Sequence, residues 1–129
     1  MKEITKLMIN EYNLKKIDFM GYVVSKENPY TYHHIKKRCQ GGKEESKNGA
    51  ILTKVAHEYL HIIESRDLEL YNYINNVLKQ INEQYHEPLL RQILAIRYML
   101  ELFEEKYKEE RTSKGKILIK NEYIKWRKK

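Results

Sequence analysis

Residues 57–61 read HEYLH, two histidines four positions apart in a stretch whose apolar residues Val55, Tyr59, Ile62 and Ile63 follow helical spacing. Side chains at i and i+4 share one helix face, so His57 and His61 can both reach a single metal ion. Two imidazoles are an incomplete site. What completes it decides the fold, because a ligand from downstream and a ligand from upstream require different paths of the chain.

The downstream reading is the H-E-x-x-H signature of zinc metalloproteases, in which the two histidines hold zinc and the glutamate, here Glu58, is the general base. It needs a third ligand, for which Glu64, Asp67, Glu69, Glu83 and His86 are available, and a cleft beside an edge strand. The H-x-x-G-x-x-H extension is absent, since His61 is followed by IIESRD. Five letters in a histidine-containing helix are a weak signal.

The upstream reading draws on more of the chain. Residues 17–35, IDFMGYVVSKENPYTYHHI, place β-branched and aromatic residues around a bend at Gly21 and an ENP turn, which predicts two short strands, the second at 31–35. A polar loop with Gly41, Gly42 and Gly49 follows, then the brief apolar run AILT at 50–53, then the helix that carries HEYLH. The order is strand, loop, strand, helix. His33 and His34 sit at the end of the first of these two strands, and Asn48 closes the loop. Four of the five histidines fall in this one register.

The array HHI…GG…NGAIL…HEYLH resembles the HNH nucleases, and especially the colicin-type DNases with three metal-binding histidines; the similar region is residues 31–64, about a quarter of the chain. The resemblance implies an α+β fold built on a ββα-metal motif, with His33, His57 and His61 as metal ligands and His34 as general base. Asn48 would tie the loop across the hairpin and orient the catalytic histidine. The implied activity is hydrolysis of DNA phosphodiester bonds, in which an ion stabilises charge on the phosphate and the leaving 3′ oxygen. A neutral imidazole, with an ordinary pKa of about 6.5, suits proton abstraction from water near neutral pH. Three imidazoles favour a divalent transition ion such as zinc, nickel or manganese over magnesium. Stand-alone HNH proteins of this size point to a phage or mobile element.

The chain departs from common HNH patterns in having no CxxC pair, so the helices after residue 67 have to brace the motif instead of a zinc ribbon. On this reading Glu58 points off the metal face and is a solvated helix residue. Lys36, Lys37, Arg38, Lys43 and Lys47 lie in the loop, where they can contact phosphates flanking a scissile bond. Small phage proteins that look like HNH domains also include anti-CRISPR inhibitors. The alternative function is therefore binding to a CRISPR effector nuclease through the acidic, tyrosine-rich middle of the chain.

Composition sets the limits around these readings. The chain has 129 residues, 41% hydrophobic and 33% charged, the balance of one globular domain. Cys39 is the only cysteine, which excludes an intrachain disulfide and a four-cysteine zinc module. The net charge of +7 is concentrated at the ends: ten basic and six acidic side chains in residues 1–50, eight and eleven in 51–113, seven and one in 114–129. Lys125 and Arg127, beside Tyr123 and Trp126 in that basic tail, are further candidates for contact with DNA. Residues 1–30 are expected to hold a short helix and a strand. Residues 65–113 are expected to form a body of two long helices, the helical spacing after Ile63 continuing through Leu70, Tyr71, Ile74, Val77, Leu78 and Ile81. No run of about 18 apolar residues and no signal-peptide core is present, so a cytoplasmic protein without a membrane partner is expected.

Overall fold

The computed structural model describes residues 1–85 and 90–107; His86, Pro88 and the basic tail with Lys125 and Arg127 lie outside them. In chain order the described elements are α1 (Glu3–Glu11), β1 (Tyr30–His34), β2 (Gly49–Thr53), α2 (Lys54–Arg66), α3 (Leu68–Gln80), a π turn at Ile81–Tyr85 and α4 (Leu90–Tyr107). Two single-turn 3-10 segments, Arg38–Gln40 and Ser46–Asn48, lie in the loop between the strands. The fold is α+β, with four helices around a two-stranded antiparallel sheet among the described residues.

The sheet pairs Tyr32 with Ile51, His33 with Ala50 and His34 with Gly49. All five residues of β2 are buried, as an apolar run without alternation requires. On β1 the pleat sorts side chains by parity. Thr31 and His33 face the helices, where they bond to His57 and Asn75, while Tyr32 and His34 turn to the other face with their rings in edge contact at 4.8 Å.

The helix that carries the second pair of histidines has a well-defined start. The Thr53 hydroxyl accepts from the Ala56 N–H (3.3 Å), the Asn28 side-chain oxygen from the Val55 N–H (2.8 Å) and the Pro29 carbonyl from the Lys54 N–H (2.9 Å). Three of the four N–H groups a helix leaves unpaired at its start are thereby satisfied. The helix ends at Asp67, whose carboxylate accepts from the Leu70 N–H (3.1 Å) and so caps α3. Apolar spacing stays in phase across this one-residue break, and the sequence reading does not mark it. Helices α3 and α4 occupy the described part of the stretch expected to form the helical body, and α3 runs on into the π turn.

The strand expected within residues 1–30 does not form; Ile17 and Val23 meet in an isolated antiparallel bridge. Phe19, Met20, Gly21 and Tyr22 are buried in succession, which no strand with one buried face permits. Gly21 takes φ 86°, a turn conformation that glycine adopts without strain, and the Asp18 carboxylate accepts the Met20 and Tyr22 N–H groups that a ladder would use. The core that these residues join is continuous: Ile51 and Leu52 of β2, Leu60 and Ile63 of α2, and Ile74 and Leu78 of α3 are fully buried together. From α4, Phe103 approaches the Tyr59 ring at 6.0 Å and the Arg97 guanidinium lies 4.7 Å from the Tyr22 ring centroid. No helix among the described residues is long and apolar enough to cross a membrane.

Candidate metal centre

Antiparallel pairing sets the start of β1 beside Thr53, where β2 runs into α2, and the helix doubles back along β1, so that His57 bonds to Thr31 and the His57 and His61 rings both approach that of His33. This brings His33, His57 and His61 together: each offers a ring nitrogen, and these lie within 4.8 Å of one another. Among the described residues this is the one group of metal-competent side chains, and no carboxylate downstream of HEYLH joins it. The ring of His57 is stacked on that of His61 at 5.1 Å, and the His33 ring meets the His57 ring edge-on at 5.3 Å.

Each imidazole has a hydrogen-bond partner that fixes which nitrogen carries the proton. His33 Nε2 is 2.8 Å from the Asn75 side-chain oxygen, an acceptor, so Nε2 holds the hydrogen and Nδ1 keeps its lone pair. The Thr31 hydroxyl gives its proton to the Leu52 carbonyl (2.8 Å), and therefore accepts from His57 Nδ1 (2.8 Å), leaving His57 Nε2 free. His61 Nδ1 donates to Glu64 (3.2 Å), which leaves its Nε2 free as well. Partners of this kind orient a metal ligand and raise its basicity.

Protonation favours the same outcome. Burial, opposed only by the Asn75 hydrogen bond, brings His33 down to about 4, and burial with the neighbouring His61 brings His57 down to about 4. Both are neutral at pH 7 with lone pairs available. Burial works against ionisation of Glu64, but Lys37 and His61 beside it outweigh that effect and hold its carboxyl below the ordinary value. Three imidazoles fit a zinc-like ion, and with three protein ligands a coordination position stays open for water or substrate.

His34 lies at the end of β1 and lines a cavity of about 290 Å³ together with the three histidines, Arg38 and Tyr71. Its Nε2 is buried and makes no hydrogen bond. Burial, with repulsion from Lys2 and Arg38 and against the attraction of Glu44, lowers its pKa. Asn48 is fully engaged across the loop: its oxygen accepts from the Lys36 N–H (2.8 Å), and its amide donates to the carbonyls of Lys36 (3.0 Å) and Lys43 (2.8 Å). Gly42 is required there, because a Cβ would overlap the Lys36 carbonyl and come within 2.9 Å of the Asn48 amide.

Of the basic loop residues, Lys37 and Arg38 line the histidine cavity, Lys36 and Lys47 face an adjoining groove, and Lys43 is exposed with its carbonyl bound by Asn48. Lys37 forms an ion pair with Glu64. Sequence reasoning missed Thr31 and Asn75 as partners of the histidines and took Glu64 only as a possible ligand. Thr31 and Glu64 carry a local signal, two residues before His33 on one strand face and three after His61 on one helix face; Asn75, 42 residues from His33, carries none.

No family model, curated protein or solved structure matches the chain, so the chemistry of the site rests on its own residues.

Two results are expected from this arrangement. Asn75→Ala removes the acceptor that holds His33 and should weaken zinc binding about 10- to 100-fold in a chelator-competition titration; unchanged affinity would show that His33 needs no such support. The second concerns acid. Between pH 6.5 and about 4 the unfolded chain protonates His33 and His57 while the folded one does not, so the unfolded state binds more protons and stability falls as pH drops through that window. Urea midpoints of metal-free protein should decline from pH 7 to 4.5, and a flat or rising profile would contradict the burial of these two rings.

Proposed function

We propose that the protein is a metal-dependent endonuclease of the ββα-metal (HNH) type that hydrolyses DNA phosphodiester bonds. The observation that carries this reading is the convergence of His33 with His57 and His61, within 4.8 Å, on a strand–loop–strand–helix unit that also presents His34 and Asn48. His33, His57 and His61 would hold the ion, which when bound supplies charge stabilisation to the phosphate and the leaving oxygen.

The chain's own residues do the rest. His34, which borders the same cavity and whose pKa is lowered chiefly by burial, would take the proton from the attacking water. Arg38, in the same cavity, is placed to hold a phosphate oxygen. Asn48 keeps the loop closed so that His34 and Arg38 stay on one side of the histidine cluster.

The test uses purified protein stripped of metal and reloaded with zinc, nickel, manganese or magnesium. At least one ion should support nicking of supercoiled plasmid, chelator should stop it, and His57→Ala and His61→Ala should lose both metal and cleavage. Full metal loading with no cleavage under any ion would overturn the nuclease reading in favour of a binding protein. Peptide cleavage that disappears in Glu58→Gln would overturn it in favour of a protease.

A further inference from the structure

The histidine cavity continues past the histidines. Lys37 and Tyr71 line it and also line a larger groove of about 660 Å³ between the loop after β1 and helix α3. One wall is the loop, with Lys36, Gln40 and Lys47; the other is a single face of α3, with Asn72, Asn75, Asn76 and Lys79 at helical spacing. This second wall lies outside the stretch that resembles HNH proteins.

The chemistry of the groove is one-sided. Four lysines, Lys36, Lys37, Lys47 and Lys79, and one carboxylate, Glu64, line it; Glu64 is already held by Lys37 and His61, and Lys79 makes an exposed i,i+4 pair with Glu83 at 3.6 Å. Lys36 and Lys47 enter no ion pair among the described residues, and the side chains of Gln40, Asn72 and Asn76 enter no hydrogen bond there. The groove thus offers the unneutralised ammonium groups of Lys36 and Lys47 and, along its walls, the exposed and unused amides of Gln40, Asn72 and Asn76. Ammonium groups hold phosphates, and carboxamides pair with the edges of bases. A duplex presents its base edges inside its own grooves, which the walls of a protein concavity do not enter; an unpaired strand can lay its bases against amides that line such a groove.

We infer that this groove binds a short single-stranded stretch of DNA that continues from the histidine site, with Lys36, Lys47 and Lys79 on its phosphates and Asn72 and Asn76 on its base edges. The direction of the strand rests on the nuclease reading, whereas the binding itself does not.

The experiment is fluorescence anisotropy with a short labelled single-stranded oligonucleotide and its duplex, using the full chain, metal-free, in chelator between about 50 and 200 mM salt. The single strand should bind at least tenfold more tightly than the duplex. The Asn72→Ala/Asn76→Ala pair should weaken single-strand binding about tenfold with zinc stoichiometry and melting temperature unchanged, as expected for loss of base contacts. Lys36→Gln/Lys47→Gln should reduce the slope of log affinity against log salt by about 1.4, two phosphate contacts at about 0.7 each.

Equal affinity for duplex, or wild-type binding by the asparagine pair, overturns the inference, as does no binding to either DNA at the lowest salt. The nuclease reading is judged apart from it. His57→Ala/His61→Ala should abolish plasmid nicking yet bind the oligonucleotide as wild type does. Binding without nicking in wild type keeps the groove and removes the nuclease; nicking without single-strand binding does the reverse.

Discussion

His34→Ala is expected to reduce plasmid nicking by about 10²- to 10⁴-fold, the usual contribution of a general base, while zinc affinity stays within about twofold of wild type. The split follows from parity on β1. His33 points to the helices and bonds to Asn75, whereas His34 lies on the opposite face against Tyr32, so removing one ring leaves the other's partners in place. His34 still borders the same cavity because it is the last residue of the strand. Its Nε2 makes no hydrogen bond that the fold depends on, so truncation should cost the protein little stability. Loss of metal together with activity would make His34 a ligand and remove it as the base. Unchanged nicking with metal retained would place the base elsewhere.

The candidate site was legible because its members are fixed by short-range geometry. Spacing i to i+4 puts His57 and His61 on one helix face, and a strand end puts His33 and His34 on opposite sides, whatever the rest of the chain does. The role of Asn48 was legible only through the resemblance to HNH nucleases, and Gly42 only as a glycine of the polar loop; its close approach to the Lys36 carbonyl is a product of the fold. The supporting residues were hidden because their role depends on how elements approach one another. Asn75 becomes the partner of His33 only after α3 folds back across the sheet, and nothing in LYNYINN separates it from Asn72 or Asn76. The break between α2 and α3 was hidden for the opposite reason: Asp67 interrupts the helix without disturbing the apolar phase, and its capping bond to Leu70 is visible only in three dimensions. Residues 17–24 misled because β-branched and aromatic residues mark burial as readily as they mark strands. Here burial of four successive residues came with a turn at Gly21.

The largest expected loss of stability comes from that turn, at Asp18. Its side chain is fully buried and accepts three backbone N–H groups, from Met20 (2.8 Å), Tyr22 (2.9 Å) and Thr53 (2.7 Å). The last of these is the N-cap residue of α2, so a single carboxylate fastens the 18–22 turn to the start of the helix that carries His57 and His61. The helix N-terminus in turn favours negative charge there. Asp18→Ala strands all three buried donors at about 1–3 kcal/mol each, and a net loss of roughly 3–5 kcal/mol is expected after partial relaxation, a large part of the stability of a domain this size. Asp18→Asn keeps one acceptor for Met20 and Tyr22 but turns an NH₂ toward the Thr53 N–H, and should cost about 2–3 kcal/mol. Urea unfolding of both variants at pH 7 checks the order, and an alanine variant as stable as wild type would show that the carboxylate does not hold the junction. The pH profile separates this role from mere bulk. Burial, against the three N–H donors, pushes the Asp18 carboxyl up to about 6, so its protonation favours the folded state as pH falls from about 6 toward 3.8. Two histidines carried down from 6.5 to about 4 outweigh this one carboxyl, so wild type is still expected to weaken in acid. In Asp18→Asn the opposing contribution is gone, and its stability should fall more steeply than that of wild type between pH 6 and 4.5.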